Sequence, residues 1–588
     1  MKQFLKYTLA TIVGIIVVSF ISMLIFMGVI GAIAASSNKS VKTTPNSVYQ
    51  LDLKGSLVER SKEDPFSSFY ANSMGQTNVE TIGLDDVLSN IKKAKEDPNI
   101  LGIYLKSGVL SGGYASMKEI RDALVDFKSS GKFIVAYSDT YSQKNYYLAS
   151  VADKIYMNPL GSLDFQGIAT STTFIKNTLD KIGVEMQVVK VGTYKSAVEP
   201  VLQTKMSDAN KEQVTVFSNS IWNTMLDAIS ESRKLSKETL NTYADESMTF
   251  QTVEKYVDYK LIDSLIYDDA MTDVFKKLTK QEDEKDIHFV SHADMNHVTV
   301  SEKLQKDKVA VIYAVGGIDM PNERDGIVSE KLVKTINDIK DEKTVKAVVF
   351  RVNSGGGSVY GSEQLWHALR ELKKEKPLIV SMGDYAASGG YYISCVADTI
   401  LAQPNTLTGS IGIFGTFPNI AGLNSKLGLT YDGVKTNKMS DAVDYNRAFT
   451  PEERNLLQTY VNRGYELFVK RCADGRSMQP DAIKAIAEGR VWTGEDAKRL
   501  GLVDELGGLN DAIKIAAGKA KLDNYSIKSY PEKEDFFTTL MKDFNGSIES
   551  RFLKSKLGDM NYKILRQIEE TQNMNGIYAV IPFNISMN

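Results

Sequence analysis

A single serine lies between two alanines and two glycines in the stretch "GDYAASGGYYISCVAD", residues 383–398. The apolar run "PLIVSMGD" predicts a strand before it, and "SGGYYISCVAD" predicts a helix after it. Ser388 would therefore lie at a strand-to-helix turn, where unpaired backbone N–H groups favour an alkoxide and a nearby oxyanion. The position suits a nucleophile, although a small residue that only permits a tight turn would fit it as well.

Two glycine-rich turns could supply the backbone donors for such an oxyanion. Gly389 follows the serine directly and can present its N–H without a side chain in the way. The segment "NSGGGSV", residues 353–359, follows the neighbouring predicted strand. Because parallel strands end at the same edge of a sheet, the two turns are expected to lie together. Glycine turns after strands also bind phosphates, but this one lacks the Lys-Ser/Thr pair of a P-loop.

The base that would accept the serine proton is not evident nearby. Three of the four histidines, His288, His292 and His297, follow a charged segment without the spacing of a zinc site. The fourth, His367, lies in a predicted helix that leads away from the glycine turn. No histidine is therefore expected to act as the base. The alternative is a lysine whose pKa is lowered by burial, as in Ser-Lys hydrolases.

The sequence repeats itself at a constant spacing of 245 residues. Residues 99–124 and 344–369 each predict an apolar strand, a Gly/Ser-rich turn and an amphipathic helix. The same spacing aligns "YSDTYSQKNYYLASVADKIYMNP" with "MGDYAASGGYYISCVADTILAQP". We therefore predict an internal duplication of one α/β unit with largely parallel strands.

The repeat also points to a particular lysine. Lys195, in "VGTYKSAVEP", follows the predicted strand "VEMQVVKV" among small and apolar residues. At the repeat spacing, Lys195 aligns with Ser440, and Ser388 aligns with Gln143. Each copy thus holds one half of a possible Ser-Lys pair and lacks the other. We predict a shared site in which Lys195 is the general base and Ser388 the nucleophile, although Lys195 alone would suit a solvated strand end.

An uncharged run, residues 8–35, follows the short head "MKQFLKY". As a helix it would be about 40 Å long, enough to cross a hydrocarbon core of about 30 Å. A cleaved signal peptide is the competing interpretation, but its apolar region would be much shorter. We predict an uncleaved signal anchor with the body exported, although the lysine counts on the two sides of the run barely discriminate orientation.

Composition bounds the rest of the chain. A length of 588 residues requires more than one domain. A net charge of -3 argues against a nucleic-acid partner, and two cysteines suggest neither a disulfide framework nor a metal site. A polar loop is predicted at residues 64–78. The predicted divisions are the head and anchor 1–46, a first domain with a helical linker 47–286, a second domain 287–525 and a C-terminal extension 526–588.

The motifs "GDYAASGGYYIS", "TGSIGIFG", "RVNSGGGSV" and "GTYKSAVEP" together resemble the long, duplicated form of the bacterial signal peptide peptidase A (protease IV) family. The resemblance covers roughly residues 47–517. It implies tandem crotonase-like (Clp-type) α/β domains behind an N-terminal transmembrane helix. It further implies a serine protease with a Ser-Lys dyad and no cofactor, which degrades cleaved signal peptides at the inner membrane with its body on the extracytoplasmic side.

The same resemblance implies roles for further residues. Gly389, Gly356 and Gly357 would form the oxyanion hole, and Ser410 would help to hold the lysine. The chain would assemble as a homotetramer whose apolar substrate grooves face its interior. One departure is Gly355, where the family often has proline, so the exact oxyanion donor stays open.

Two other functions stay open from the sequence. The crotonase-like fold also hosts acyl-CoA hydratases and isomerases, but these use carboxylates, and no acidic pair lies near the glycine turns. The second is a non-catalytic membrane scaffold that retains the fold.

Overall fold

The computed structural model describes residues 2–37, 40–61, 81–299, 305–320, 326–532 and 576–580. The strands are β1 Ser47–Val58, β2 Thr81–Gly83, β3 Ile100–Ser111, β4 Phe133–Tyr141, β5 Lys154–Leu163, β6 Glu185–Val191, β7 Ser264–Leu265, β8 Phe289–Ser291, β9 Lys308–Val315, β10 Val345–Ser354, β11 Gly356–Ser358, β12 Leu378–Ala387, β13 Thr399–Ala402, β14 Leu407–Gly409, β15 Ile413–Asn419, β16 Val491–Thr493, β17 Glu505–Leu506, β18 Ser526–Tyr530 and β19 Gly576–Val580.

The helices pack around these strands. They are α1 Lys2–Ser37, α2 Leu84–Glu96, α3 Tyr114–Lys128, α4 Gln143–Ala149, α5 Lys176–Ile182, α6 Glu199–Leu202, α7 Asp208–Arg233, α8 Lys237–Asp245, α9 Val253–Asp258, α10 Met271–Thr279, α11 His292–Asn296, α12 Ser329–Asp341, α13 Val359–Lys373, α14 Gly389–Ser394, α15 Ala421–Lys426, α16 Pro451–Arg476, α17 Pro480–Ile486, α18 Gly494–Arg499 and α19 Leu509–Lys519. Short 3₁₀ helices cover Met248–Phe250, Asp268–Ala270 and Glu284–Asp286.

The first half of the chain forms a parallel sheet. Its described strands run in the order β2-β1-β3-β4-β5-β7, with β8 beside β1, and every pair is parallel. Successive side chains of a strand point to opposite faces. Thus Ile103 packs into the large core of this half, while its neighbour Tyr104 packs with Phe275 of α10 on the other face. Both faces are covered, which is why these strands are apolar along most of their length.

The second half repeats this arrangement. Its described strands run in the order β16-β14-β12-β10-β9-β18, and β13 and β17 extend the sheet from β12. The pairs are parallel except β14 with β16. A spacing of 245 residues separates the first residues of β3 and β10, and also those of α3 and α13. The predicted duplication of an α/β unit is therefore confirmed.

A third sheet joins the two halves. Its described order is β11-β19-β15-β6, and all of its pairs are antiparallel. Strand β6 comes from the first half and pairs along its full length with β15 of the second, from Val191 opposite Ile413 to Glu185 opposite Asn419. The segment that follows β6 is thereby delivered to the second half of the molecule.

The ends of the chain bear on other predictions. Helix α1 includes the uncharged run predicted to be an anchor. Across the residues described, no helix combines the length and hydropathy that a membrane crossing requires, so the transmembrane helix is not confirmed.

The predicted polar loop, residues 64–78, lies outside the described residues. Strands β8 and β18 begin just beyond the predicted divisions at 286 and 525 and pair with β1 and β9, and the domain limits stay predictions.

A buried charged cluster lies where the two halves meet. Arg351, on β10, is fully buried, and its Nε and Nη2 donate to the two carboxylate oxygens of Glu59 at 2.9 and 3.1 Å. Its Nη2 also lies 2.7 Å from Oε1 of Glu119, on α3. Burial raises the pKa of Glu119 to about 7, although the arginine opposes this shift. Nearby, Asp384 of β12 accepts bonds from the N–H and the hydroxyl of Ser116 at 2.9 and 2.6 Å.

Replacing Arg351 by methionine would leave Glu59 and Glu119 buried without their cation. We expect the free energy of unfolding to fall by about 3–5 kcal/mol, because an uncompensated buried charge is strongly unfavourable. The urea midpoint and slope measure this change. Lys346→Met is the control, since it removes an exposed ion pair with Asp307 from the same strand and should leave stability nearly unchanged. Equal losses in the two variants would contradict the role assigned to the cluster.

Candidate active site

Ser388 lies between the end of β12 and the start of α14, as the sequence predicts. It is fully buried, and its backbone has φ 56° and ψ −115°, an unusual conformation for a residue with a side chain. Its N–H donates to the Gly409 carbonyl at 2.8 Å, and its carbonyl accepts from Tyr392 N–H at 2.9 Å. These bonds hold the serine in the strained turn.

Lys195 reaches this serine from the first half of the chain. Its Nζ lies 2.8 Å from Ser388 Oγ, although the two residues are 193 positions apart in sequence. The same nitrogen lies 3.0 Å from Ser410 Oγ and 3.1 Å from the Ser410 carbonyl oxygen. The lysine is fully buried, and among the described residues no carboxylate pairs with its amine. Burial alone lowers the pKa of Lys195 well below its ordinary value, which favours a neutral amine that can accept a proton.

Ser410 is held in turn by its backbone. It follows Gly409, and the φ angles of the two residues are 50° and 74°. The Ser410 N–H donates to the carbonyl of Arg490 at 2.7 Å. The carbonyl and hydroxyl of Ser410 thus both lie within hydrogen-bond distance of the lysine amine, and the supporting role that the resemblance implies for Ser410 stays a prediction.

The predicted glycines surround the serine. A Cβ added at Gly389 would lie 2.8 Å from Ser362 Oγ and 3.1 Å from Gly357 N, so the two turns approach too closely for a side chain. Gly356 has φ 106°, which favours glycine, and its N–H donates to Ser354 Oγ at 3.2 Å. The Gly356 N–H thus has a partner within its own turn, and which glycine N–H groups complete an oxyanion hole stays a prediction. Gly355 lies between β10 and β11.

The residues aligned with the pair serve other purposes. Gln143 Oε1 accepts bonds from the N–H groups of Gln166 and Gly167 at 3.1 and 3.0 Å, so it braces a loop of the first half. Ser440 is exposed. The first half therefore has no nucleophile at the equivalent turn.

The histidines do not form part of this constellation. His292 Nδ1 bonds to the Tyr49 hydroxyl at 2.7 Å within the first half, and His367 is exposed on α13. Over the described ranges, no group of three or more His, Cys, Asp or Glu side chains could hold a metal ion.

The loop before β16 was missed by sequence analysis. The carbonyl of Glu488 accepts from Tyr194 N–H at 2.9 Å, and its carboxylate accepts from the N–H and hydroxyl of Thr193 at 3.0 and 3.2 Å. Gly489 has φ 74°, and a Cβ there would lie 2.7 Å from Lys195 Cβ. The loop thus packs against the lysine, while the next carbonyl, that of Arg490, holds Ser410. Its partners lie far away in sequence, so only a lone glycine before an apolar strand could have signalled it.

Substituting Gly489 by alanine should displace Lys195 from Ser388. We expect the labelling rate of Ser388 with a fluorophosphonate probe to fall by about 10-fold or more, since a 1 Å misplacement can cost about 100-fold. The control is Gly501→Ala, which carries a similar φ of 80° but whose nearest neighbour would be Met478 Sδ at 3.7 Å. Both variants bear the strain of a positive φ, so equal labelling rates would show that Gly489 does not position the lysine.

The comparison with known protein families matches the two halves of the chain separately. The family model described as "Peptidase family S49" matches residues 126–282 and 370–523. The first match contains Lys195 and the second contains Ser388. A solved structure, a ClpP1 mutant from Listeria monocytogenes, is 13% identical with a TM-score of 0.24, covering 34% of this chain and 94% of that one.

Similar proteins span most of the chain. "Protease 4" of Salmonella typhi is 36% identical over 551 residues, covering 90% of this chain and 88% of that protein. "Protease 4" of Haemophilus influenzae is 32% identical, and the match covers 85% of this chain and 83% of that protein. "Serine protease SPPA, chloroplastic" of Arabidopsis thaliana is 32% identical, and the match covers 75% of this chain and 66% of that protein. With both halves matched, the chain belongs to peptidase family S49 and is a serine protease.

Proposed function

We propose that this protease is a Ser-Lys endopeptidase in which Ser388 is the nucleophile and Lys195 the general base. The observation that carries the proposal is the distance of 2.8 Å between Lys195 Nζ and Ser388 Oγ in a fully buried site. A general base must lie within hydrogen-bond reach of the proton it removes, and its pKa must leave it unprotonated. Lys195 meets the first condition by geometry and the second by burial.

The steps of the reaction follow from these positions. The neutral Lys195 amine accepts the Ser388 proton as Oγ attacks the peptide carbonyl, and the resulting oxyanion accepts bonds from Gly389 and Gly357 N–H groups. The protonated lysine then donates its proton to the leaving amine, which leaves an acyl group on the serine. The neutral Lys195 then accepts a proton from water as the water attacks the acyl group, and it returns that proton to Ser388 Oγ as the bond between the acyl group and the serine breaks. Ser410 keeps the amine aligned throughout, so the steps use only this chain and water.

We propose cleaved signal peptides as the substrates. Support comes from the sequence resemblance and from the apolar side chains that follow the lysine and line β15. Val198 and Phe414 lie in one buried apolar cluster beside the site. A peptide-library profile that prefers charged residues near the cleaved bond would contradict this substrate class.

A membrane anchor is part of the proposal, with the body on the extracytoplasmic side of the inner membrane. Support comes from the uncharged run at residues 8–35 and from the apolar side chains exposed along α1, such as Leu9, Ile15 and Val18, each more than 60% exposed. Such side chains are stable in lipid but not in water. Recovery of the intact chain in the carbonate-soluble fraction would contradict the anchor.

We also propose a homotetramer, on the family resemblance. Leu427, Leu429, Tyr431 and Val434, in the segment after α15, are between 50% and fully exposed. An assembly would cover such apolar side chains, which monomers rarely expose together. A monomeric mass in light scattering of the detergent-solubilised chain would contradict it.

Each half is assigned to the crotonase-like (Clp-type) fold by the same resemblance. Acyl-CoA hydratases and isomerases share this fold, and a non-catalytic scaffold with the same fold would need no catalytic residues. The buried, unpaired Lys195 beside a strained serine favours the protease over both, because burying an amine without a carboxylate lowers stability and serves neither alternative.

Removing either member of the pair should abolish the activity. We expect Lys195→Met to lower kcat for a fluorogenic peptide by about 10²–10⁴-fold, the usual contribution of a general base, and Ser388→Ala to lower it at least as far. The matched control is Lys144→Met. Lys144 lies beside Gln143 at the equivalent turn of the first half, and burial lowers its pKa too. If Lys144→Met were as inactive as Lys195→Met, the assignment of the base would be wrong.

The pH dependence of kcat/KM should report the pKa of Lys195. Because only the neutral amine accepts a proton, activity rises with pH through this pKa and is lost below it. A lysine with the ordinary pKa of about 10.4 would place this rise at strongly alkaline pH, whereas burial places the pKa of Lys195 well below that value. Steady-state rates across the pH range test this, with Lys144→Met as a variant that should retain the wild-type profile. A rising limb that remains near the ordinary lysine pKa would contradict the assignment of Lys195.

A further inference from the structure

A short strand near the end of the chain lies beside the catalytic pair. Strand β19 runs antiparallel to β11, with Ala579 opposite Gly357 and Tyr578 opposite Ser358. Its other edge pairs with β15, where Tyr578 lies opposite Phe414. Strand β11 contains Gly357, one of the two glycines proposed for the oxyanion hole, and β15 begins shortly after Ser410. Strand β19 therefore fills the space between the two strands that border the site.

The Ala579 carbonyl oxygen of β19 lies close to the glycine N–H groups that we propose as oxyanion donors. A Cβ built on Gly356 would lie 1.9 Å from the Ala579 carbonyl oxygen and 2.7 Å from Gly389 N. Both atoms therefore lie on the same side of Gly356, and the Ala579 carbonyl is next to the N–H that follows Ser388. A peptide about to be cleaved must place its reacting carbonyl beside these donors.

Two side chains of β19, those of Tyr578 and Ala579, are buried. Tyr578 is 7% exposed and packs with Phe414, at 6.5 Å between ring centroids, and with Val198. Ala579 is 1% exposed and, as the next residue of a strand, points to the opposite face. The pocket that takes Tyr578 is apolar, and it begins three residues after Lys195. One small and one aromatic side chain are thus buried at positions that a substrate would use.

We propose that residues 576–580 occupy the substrate groove between β11 and β15 as a pseudosubstrate, which a peptide must displace before it is cleaved. The proposal rests on the Ser-Lys function proposed above. An extended peptide would add to the same two strand edges by main-chain hydrogen bonds, and its alternate side chains would be selected by the pockets. In this register, a substrate presents a small residue where Ala579 lies and an apolar or aromatic residue where Tyr578 lies.

A tethered segment competes strongly with free peptides even when its intrinsic affinity is modest. The effective concentration of a tethered segment is of millimolar order. If the dissociation constant of the free segment is about ten times lower than this concentration, the tethered segment raises the apparent KM by about 10-fold. The maximum rate would be unchanged, because a sufficient concentration of substrate displaces the strand completely.

The test compares the full chain with two truncated chains, one ending at Val580 and one ending at Asn575. Only the second lacks β19, so the first is the matched control for loss of the terminal residues. We expect the chain ending at Asn575 to show a several-fold lower KM for a fluorogenic peptide, with the same kcat, while the chain ending at Val580 behaves like the full chain. A synthetic peptide with the sequence GIYAV should inhibit the chain ending at Asn575 competitively.

A point variant guards against misfolding of the truncated chain. Tyr578→Asp places a charge in the apolar pocket of the full chain, and it should lower KM in the same direction. Equal KM values in all four proteins, or no inhibition by GIYAV at millimolar concentration, would overturn the pseudosubstrate.

Probe labelling separates this inference from the function on which it rests. If Ser388 reacts with the fluorophosphonate probe while the KM values are equal, only the pseudosubstrate fails. If Ser388 is inert in every chain and no peptide is hydrolysed, the Ser-Lys function fails and the pseudosubstrate fails with it.

Discussion

The antiparallel pairing of β6 with β15 is the interaction on which the site depends. Strand β6 belongs to the first half of the chain and β15 to the second, and their ladder runs from Val191 opposite Ile413 to Glu185 opposite Asn419. The turn that follows β6 carries Lys195, and the turn that precedes β15 carries Ser410. Because the two turns leave the same end of the ladder, the lysine amine meets the serine that holds it. Without this ladder, each half would keep one member of the pair and neither would have a site.

The surrounding structure offsets the cost of this arrangement. A buried amine without a carboxylate, a serine at positive φ and a second one at Ser410 each lower stability. Opposing them are the loop at Gly489, which packs on the lysine backbone, and the buried cluster around Arg351, which ties β10 to the first half. Arg351 lies on β10, the strand that leads to the glycines proposed for the oxyanion hole, so one strand contributes both to the contact between the halves and to the turn beside Ser388.

The third sheet also bears on where we propose that a peptide binds. Strands β11 and β15 both border the serine, and each has an edge that can accept another strand. In this structure β19 pairs with both edges and buries Tyr578 and Ala579. Both of the edges that an extended substrate would need are thus paired with the chain itself, which links the C-terminal extension to the active site.

The sequence by itself determined the duplication and the strand-turn-helix around Ser388, and it predicted Lys195 as the partner of that serine, because these depend on local patterns and on a constant spacing of 245 residues. The membrane anchor, expected from the uncharged run, and the tetramer, implied by the family resemblance, stay predictions. Tertiary structure alone decided the loop at Glu488 and Gly489, the Arg351 cluster and the position of β19. Each of these joins residues that are remote in sequence and follow no periodic pattern, and Glu59 and Arg351, for instance, are 292 positions apart. Their contacts exist only because the sheets of the two halves pack against each other.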